Sequence, residues 1–182
     1  PGLKCGNVNR GIQSVHALRV RYRILRYGST AFLCETGATQ QTTLPTAPPT
    51  AGLYKPVLVT GGYLSVSGQG PMRRDGSYIT GKVGDTLDLE AGKAAARQVA
   101  LTMLSTIETH FGSVDRIDRL VKTLGMVNST PEFGDHPLVI NGFSELMAEV
   151  FGPDHGVGAR SAVGMTLPGQ VAVEIEAIFK LA

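Results

Sequence analysis

The chain has no tryptophan, and aromatic residues make up 6% of its 182 positions. Binders of single-stranded nucleic acid stack bases on aromatic platforms, so that function class has little to build on here. Cysteine is nearly absent too: Cys5 and Cys34 stand alone. Two thiols make neither a disulfide framework nor a four-ligand zinc site, and they read as free thiols in a reducing compartment. No apolar run approaches the roughly 20 residues that span a bilayer as a helix, so no membrane partner is expected. His16, His110, His136 and His155 lack the i, i+4 spacing of metal-binding helices. A metal is therefore not expected. Acids are scarce at one end only: residues 1–45 hold six of the seventeen Lys and Arg but one of the fifteen Asp and Glu. From residue 46 onward acids outnumber bases, which argues against a nucleic-acid backbone as partner.

What is present falls into three stretches. Residues 1–45 include VHALRVRYRILRY, an Arg-rich run whose composition is that of an organelle transit peptide. The stretch reads as a poorly structured extension or a non-native leader. A cytoplasmic location is expected, with organellar import left open. Residues 46–52 are a Pro-rich linker, extended by its prolines. Residues 53–182 read as one domain. Gly61-Gly62 joins two β-prone runs as a hairpin. A helix is expected from about Asp88 to Phe111, with Ala95, Val99, Met103, Ile107 and Phe111 as its apolar stripe and Gly112 at its end. A strand over Leu120 to Val127 follows, then a helix starting near Pro137 and stopped by Gly152-Pro153. Tyr78-Ile79-Thr80 reads as a short strand. Arg160 to Thr166 and Val171 to Phe179 close the chain as two strands taken to be neighbours. The order is that of an α+β domain with two helices on one face of a mixed sheet.

Arg160 leads the candidates for chemistry. Alternation puts it on one strand face with Ala162 and Gly164, small residues that leave room for a ligand. Its planar fork fits a carboxylate; the competing reading is a cross-strand salt bridge to Glu174 or Glu176. Those two glutamates share a face, where one could act as general base or both could face solvent. The spacing does not distinguish which of the two lines a cleft. Tyr54 and Tyr63 carry hydroxyls that either bind or pack. Asn141, near the start of the second helix, could bond a ligand or merely the backbone. Ser67-Gly68-Gln69-Gly70-Pro71 is glycine-rich but has no Walker lysine, so it is no phosphate loop.

Taken in order, seven stretches resemble the reactive-intermediate deaminase (Rid, YjgF-like) family, and in particular its longer subgroup labelled endoribonuclease L-PSP. They are Tyr54-Lys55-Pro56-Val57, Val66 through Pro71, Ala94-Ala95-Ala96-Arg97-Gln98, Leu124 through Asn128, Val139 through Phe143, Ala159-Arg160-Ser161, and Glu174-Ile175-Glu176-Ala177-Ile178. The resemblance runs from about Leu53 to Leu181. It implies a chorismate-mutase-like α+β fold and a homotrimer whose sheets form a central barrel, with sites in the clefts between subunits. It also implies hydrolysis of 2-imino and enamine acids to 2-keto acids and ammonia, a reaction for which no metal or organic cofactor is expected. By that resemblance Arg160 holds the substrate carboxylate and Glu174 positions a water. Tyr54, Ser67, Gly68 and Asn141 line the cleft. Ala162 stands where the best-understood branch has a cysteine, which bears on substrate range. A non-catalytic binder of small carboxylates is the alternative, and a ribonuclease, suggested by the subgroup's label, the third.

Overall fold

A computed structural model describes residues 22–27, 30–35 and 41–182. Among the described residues, eight strands and two long helices follow in the order β1 (Tyr22–Tyr27), β2 (Thr30–Glu35), β3 (Gln41–Thr43), β4 (Val57–Thr60), β5 (Tyr63–Gln69), α1 (Leu89–His110), β6 (Ile117–Asn128), α2 (His136–Phe151), β7 (Ala159–Met165) and β8 (Val173–Leu181). The first three strands form a small antiparallel sheet, and the other five a mixed sheet in the order β4-β5-β8-β6-β7. Every pairing in the larger sheet is antiparallel except β6 with β7.

Local signals place the elements close to where the sequence puts them. Gly61 and Gly62 both have positive φ, 57° and 81°. That is the backbone a two-residue hairpin needs to match strand twist, and residues with a Cβ resist it. Asp88 caps α1 through its side chain, which accepts from the Ala91 N–H at 2.8 Å. Ala95, Val99, Met103 and Ile107 are completely buried, as the four-residue period requires. Phe111 lies just past the helix and is only half-buried. In α2, Val139, Ile140, Phe143, Leu146, Met147 and Val150 fill the same core. Both helices lie on the face carrying Leu64, Val66, Val127, Val173, Ile175, Ala177 and Phe179. The helices meet closely at Gly142, where a Cβ would overlap the Lys93 carbonyl in α1.

Three expectations change. Tyr78, Ile79 and Thr80 make isolated bridges rather than a strand, Met72 with Tyr78 and Thr80 with Val171. Residues 1–45 are not a bare extension where they are described. Strands β1 to β3 lie there, Leu33 and Leu44 are buried in the core, and Ser105 of α1 donates to the Pro45 carbonyl at 2.7 Å. Packing therefore begins upstream of the Pro-rich segment, because a few apolar side chains suffice to dock a chain that composition marks as linker. Residues 1–21, 28–29 and 36–40 lie outside the described residues. Finally, β7 and β8 are not neighbours. Helix α2 carries the chain over to lay β7 parallel beside β6 at the sheet edge. The connection from Thr166 to Ala172 then steps across β6, and β8 fills the slot between β6 and β5.

Candidate active site

The larger sheet separates the candidate residues into two groups. Pairing shows which residues share a face: Thr123 lies level with Arg160 and Ala177, Gly125 with Ala162 and Ile175, and Val127 with Gly164 and Val173. Arg160 and Ala162 thus belong to the helix side. Met126 pairs with Glu174 and Leu124 with Glu176, so both glutamates belong to the opposite, outer side. Arg160 and Glu174 of one chain are two strands apart on opposite faces. The close pair expected from adjacent strands does not exist within a single copy, because β6 lies between them.

On the helix side, α2 holds the guanidinium. Arg160 Nη1 donates to Asn141 Oδ1 at 3.0 Å and to Ser144 Oγ at 2.9 Å, and Nη2 donates to the Pro137 carbonyl at 3.1 Å. All three acceptors are neutral, and among the described residues no carboxylate pairs with this arginine. The salt bridge to Glu174 or Glu176 is absent. Partial burial lowers the arginine's pKa from its ordinary value, yet a guanidinium stays charged in proteins. The Nε–H and one Nη2–H make no bond among the described residues, leaving two adjacent donors for an anion. Asn141 is thus an arginine holder, and Ser144, which sequence reasoning missed, shares that role. Its signal was available: Ser144 follows Asn141 by three residues on one helix face. Ala162 is half-buried beside Arg160 against the core.

On the outer side, a β-bulge builds the second group. Val66 pairs with Ala177 and Gln69 with Ile175, so Ser67 and Gly68 together oppose Glu176. The bulge brings Gly68 under the Glu174 carboxyl, so closely that a Cβ there would overlap Oε1. Glu174 is half-buried, and its pKa is raised by burial first and by the Glu176 charge second. Glu176 is exposed, so Glu174 is the one enclosed. Ser67 Oγ donates to the Lys55 carbonyl at 2.7 Å, tying the bulge to the chain before β4. Tyr54 is 47% exposed, and its hydroxyl accepts from the Ala51 N–H at 3.4 Å. Tyr63 is exposed at the start of β5.

A polar ridge on α1 fixes this bulge, and it was not singled out from the sequence. Gln69 points inward, accepts from Thr106 Oγ1 at 2.8 Å, and donates to the Ser67 and Gly68 carbonyls at 3.0 and 3.2 Å. Thr102 Oγ1 accepts from the Met72 N–H at 3.3 Å, and Gln98 Nε2 donates to the Met72 carbonyl. Gln98, Thr102 and Thr106 recur every four residues beside the apolar stripe, which is the signal that could have shown them.

Two helices on one face of a five-stranded mixed sheet make this a protein of the YjgF/chorismate-mutase-like α+β fold. A family model described as "YjgF/chorismate mutase-like, putative endoribonuclease" matches residues 37–171, and the chain belongs to that family. Protein TCP17 of Trypanosoma cruzi is 41% identical over 139 residues, covering 76% of this chain and 87% of that one. The structure of Atu1372 from Agrobacterium tumefaciens is similar at 39% identity and a TM-score of 0.71, over 78% of this chain and 87% of that one. A structure from Shewanella oneidensis named as an endoribonuclease matches at 25% identity and a TM-score of 0.72, over 76% of this chain and 91% of that one. Among the described residues no helix is long and apolar enough to cross a membrane. No group of three His, Cys, Asp or Glu side chains there could hold a metal ion.

Proposed function

We propose that this protein hydrolyses 2-imino and enamine acids to 2-keto acids and ammonia, at a site made by two copies of the chain. The observation that carries the reading is Arg160, a half-buried cation held by three neutral acceptors with two donors to spare. Those donors take the substrate carboxylate. Glu174, whose pKa is raised, takes a proton from water as the water oxygen attacks the imine carbon. The C=N bond becomes C–N in a tetrahedral carbinolamine. The carboxyl returns that proton to nitrogen, giving the neutral carbinolamine; it then takes the hydroxyl proton and passes it to nitrogen as C=O forms and the C–N bond breaks, releasing ammonia and a 2-keto acid. An enamine enters after tautomerising to the imine, its C3 gaining a proton as its nitrogen loses one. No redox change occurs. Imines hydrolyse unaided, so positioning and one general base suffice, on the order of 10²–10⁴-fold.

A single copy holds the arginine and the carboxyl on opposite sheet faces, so a second copy must bring the partner group. The outer face supports such assembly. Leu58, Tyr63, Val163, Met165 and Ile178 are exposed along it, an apolar surface that a lone soluble domain rarely leaves bare. Association as a homotrimer, with the sheets facing inward, accounts for both features. The test generates 2-aminoacrylate with a partner enzyme and follows its disappearance. Wild type should clear it faster than buffer, and Arg160→Ala should not. Equal clearance by wild type, variant and buffer defeats the proposal.

Ala162 favours a second reading. With a methyl beside the arginine and no thiol, the site binds small carboxylates without turnover and serves as a keto-acid sensor. Calorimetry showing keto-acid binding without imine turnover selects it. Endoribonuclease activity, which belongs to the names of relatives, ranks last, since acids outnumber bases from residue 46 onward.

A further inference from the structure

Two glycines, Gly68 in β5 and Gly70 just after it, each lie beneath a side chain. Gly68 is covered by the Glu174 carboxyl. Two residues on, Gly70 is covered by the ring of Tyr78: a Cβ there would come within 2.9 Å of Cε1 and 3.1 Å of Cδ1. In extended chain, positions i and i+2 face the same side, roughly 7 Å apart. Gln69 between them points the other way, into α1. Gly68 and Gly70, with the Glu174 carboxyl and the Tyr78 ring over them, thus face the same side of the chain two residues apart.

The ring is presented by a firmly built segment. The Arg73 N–H donates to the Ser77 carbonyl at 2.7 Å and the Ile79 N–H to the Pro71 carbonyl at 3.0 Å, closing a small hairpin. Asp75 Oδ1 accepts from both N–H and Oγ of Ser77, and Arg73 Nη1 donates to the Tyr78 carbonyl at 3.0 Å. The segment is joined to the start of β8 through the Ala172 N–H and the Ile79 carbonyl, 3.0 Å apart. The backbone that carries the ring is thus already held, which lowers the cost of ordering it when a ligand packs on it. Tyr78 is 37% exposed, so its ring is open to such a ligand. Tyr54 lies within electrostatic reach. The Tyr78 phenol pKa is raised by burial first and by Tyr54 second.

We propose that Tyr78, together with Tyr54, forms the side-chain wall of the site and selects 2-imino and 2-keto acids with large apolar side chains over small ones. This inference rests on the reading of Arg160 and Glu174 as the carboxylate and water sites. With the carboxylate on the arginine and C2 at the glutamate's water, the substrate's side chain is left to the neighbouring surface. A phenol ring offers apolar contact there, and packing a phenyl group against it is worth about tenfold in affinity.

Calorimetry with phenylpyruvate and pyruvate tests the proposal on wild type, Tyr78→Ala, Tyr78→Phe and Gly70→Ala. Wild type and Tyr78→Phe should prefer phenylpyruvate by about tenfold. Tyr78→Ala removes the ring, and Gly70→Ala displaces it. Both should lose the preference while pyruvate affinity stays within about twofold. A preference that is absent in wild type, or that survives Tyr78→Ala, overturns the proposal. So does an equal loss of both acids in Tyr78→Ala, which would mark the tyrosine as structural. Pyruvate binding without size preference defeats this inference alone; failure of wild type to bind either acid defeats the carboxylate site with it.

Discussion

Glu174 and Arg160 show how little of a residue's role is set by its charge alone. Glu174 is held partly out of water beside a second carboxylate, so its folded pKa lies above the ordinary value. Between the unfolded and folded pKa values the folded chain binds more protons than the unfolded one. Stability from this group is therefore present at low pH and falls as pH rises through that window. Glu174→Gln should raise the melting temperature at neutral pH, have little effect below the ordinary glutamate pKa, and abolish turnover; thermal scans across pH read this out. Removing the neighbouring charge with Glu176→Gln should shift the acid limb of the pH–rate profile downward, since repulsion contributes to the raised pKa. At Arg160 a lysine keeps the charge but cannot bond three acceptors and a carboxylate at once. Arg160→Lys should lower kcat/KM about 100-fold in steady-state assays, with melting nearly unchanged.

At the scale of elements, the bulge in β5 and the ridge on α1 act together. The bulge sets Ser67 and Gly68 against β8, and Gln69, anchored by Thr106, holds their carbonyls. Gly68→Ala should push the Glu174 carboxyl aside and cut kcat by at least about tenfold. Circular dichroism and melting should change little, because the displaced group is the end of a side chain. Helix α1 itself depends on its cap. Asp88→Ala should cost about 1 kcal/mol in denaturant unfolding, by freeing the Ala91 N–H. The helices were legible in the sequence because their apolar period and caps are local signals. The bulge was not: Ser67-Gly68-Gln69 reads as a strand breaker until β8 supplies the opposing register. Gln98, Thr102 and Thr106 look like an ordinary polar edge until the loop at Met72 is seen to dock on them.

For the molecule as a whole, the sheet carries Arg160 on one face and Glu174 on the other, so the site proposed for them needs two copies of the chain. If copies complete each other, two inactive variants should rescue one another. Arg160→Ala and Glu174→Ala, unfolded together and refolded as a mixture, should recover on the order of a quarter of wild-type activity, because random assembly pairs intact halves at that frequency. Recovery no greater than the sum of the separate variants would show that the residues do not meet across an interface. Placing a charge on the bare face, as in Met165→Arg, should yield monomer by light scattering, with native circular dichroism and no turnover.

Sequence alone determined the α+β class, the extents of both helices, the Gly-Gly hairpin and the candidate residues, since periodicity, caps and turn chemistry act over a few positions. It also carried the family likeness. Only the tertiary structure decided that β8 inserts between β5 and β6, that Arg160 faces α2 while Glu174 faces outward, and that chain before residue 46 joins the core. Those outcomes depend on which strands pair, and pairing is settled by the burial of whole faces rather than by any short stretch of residues.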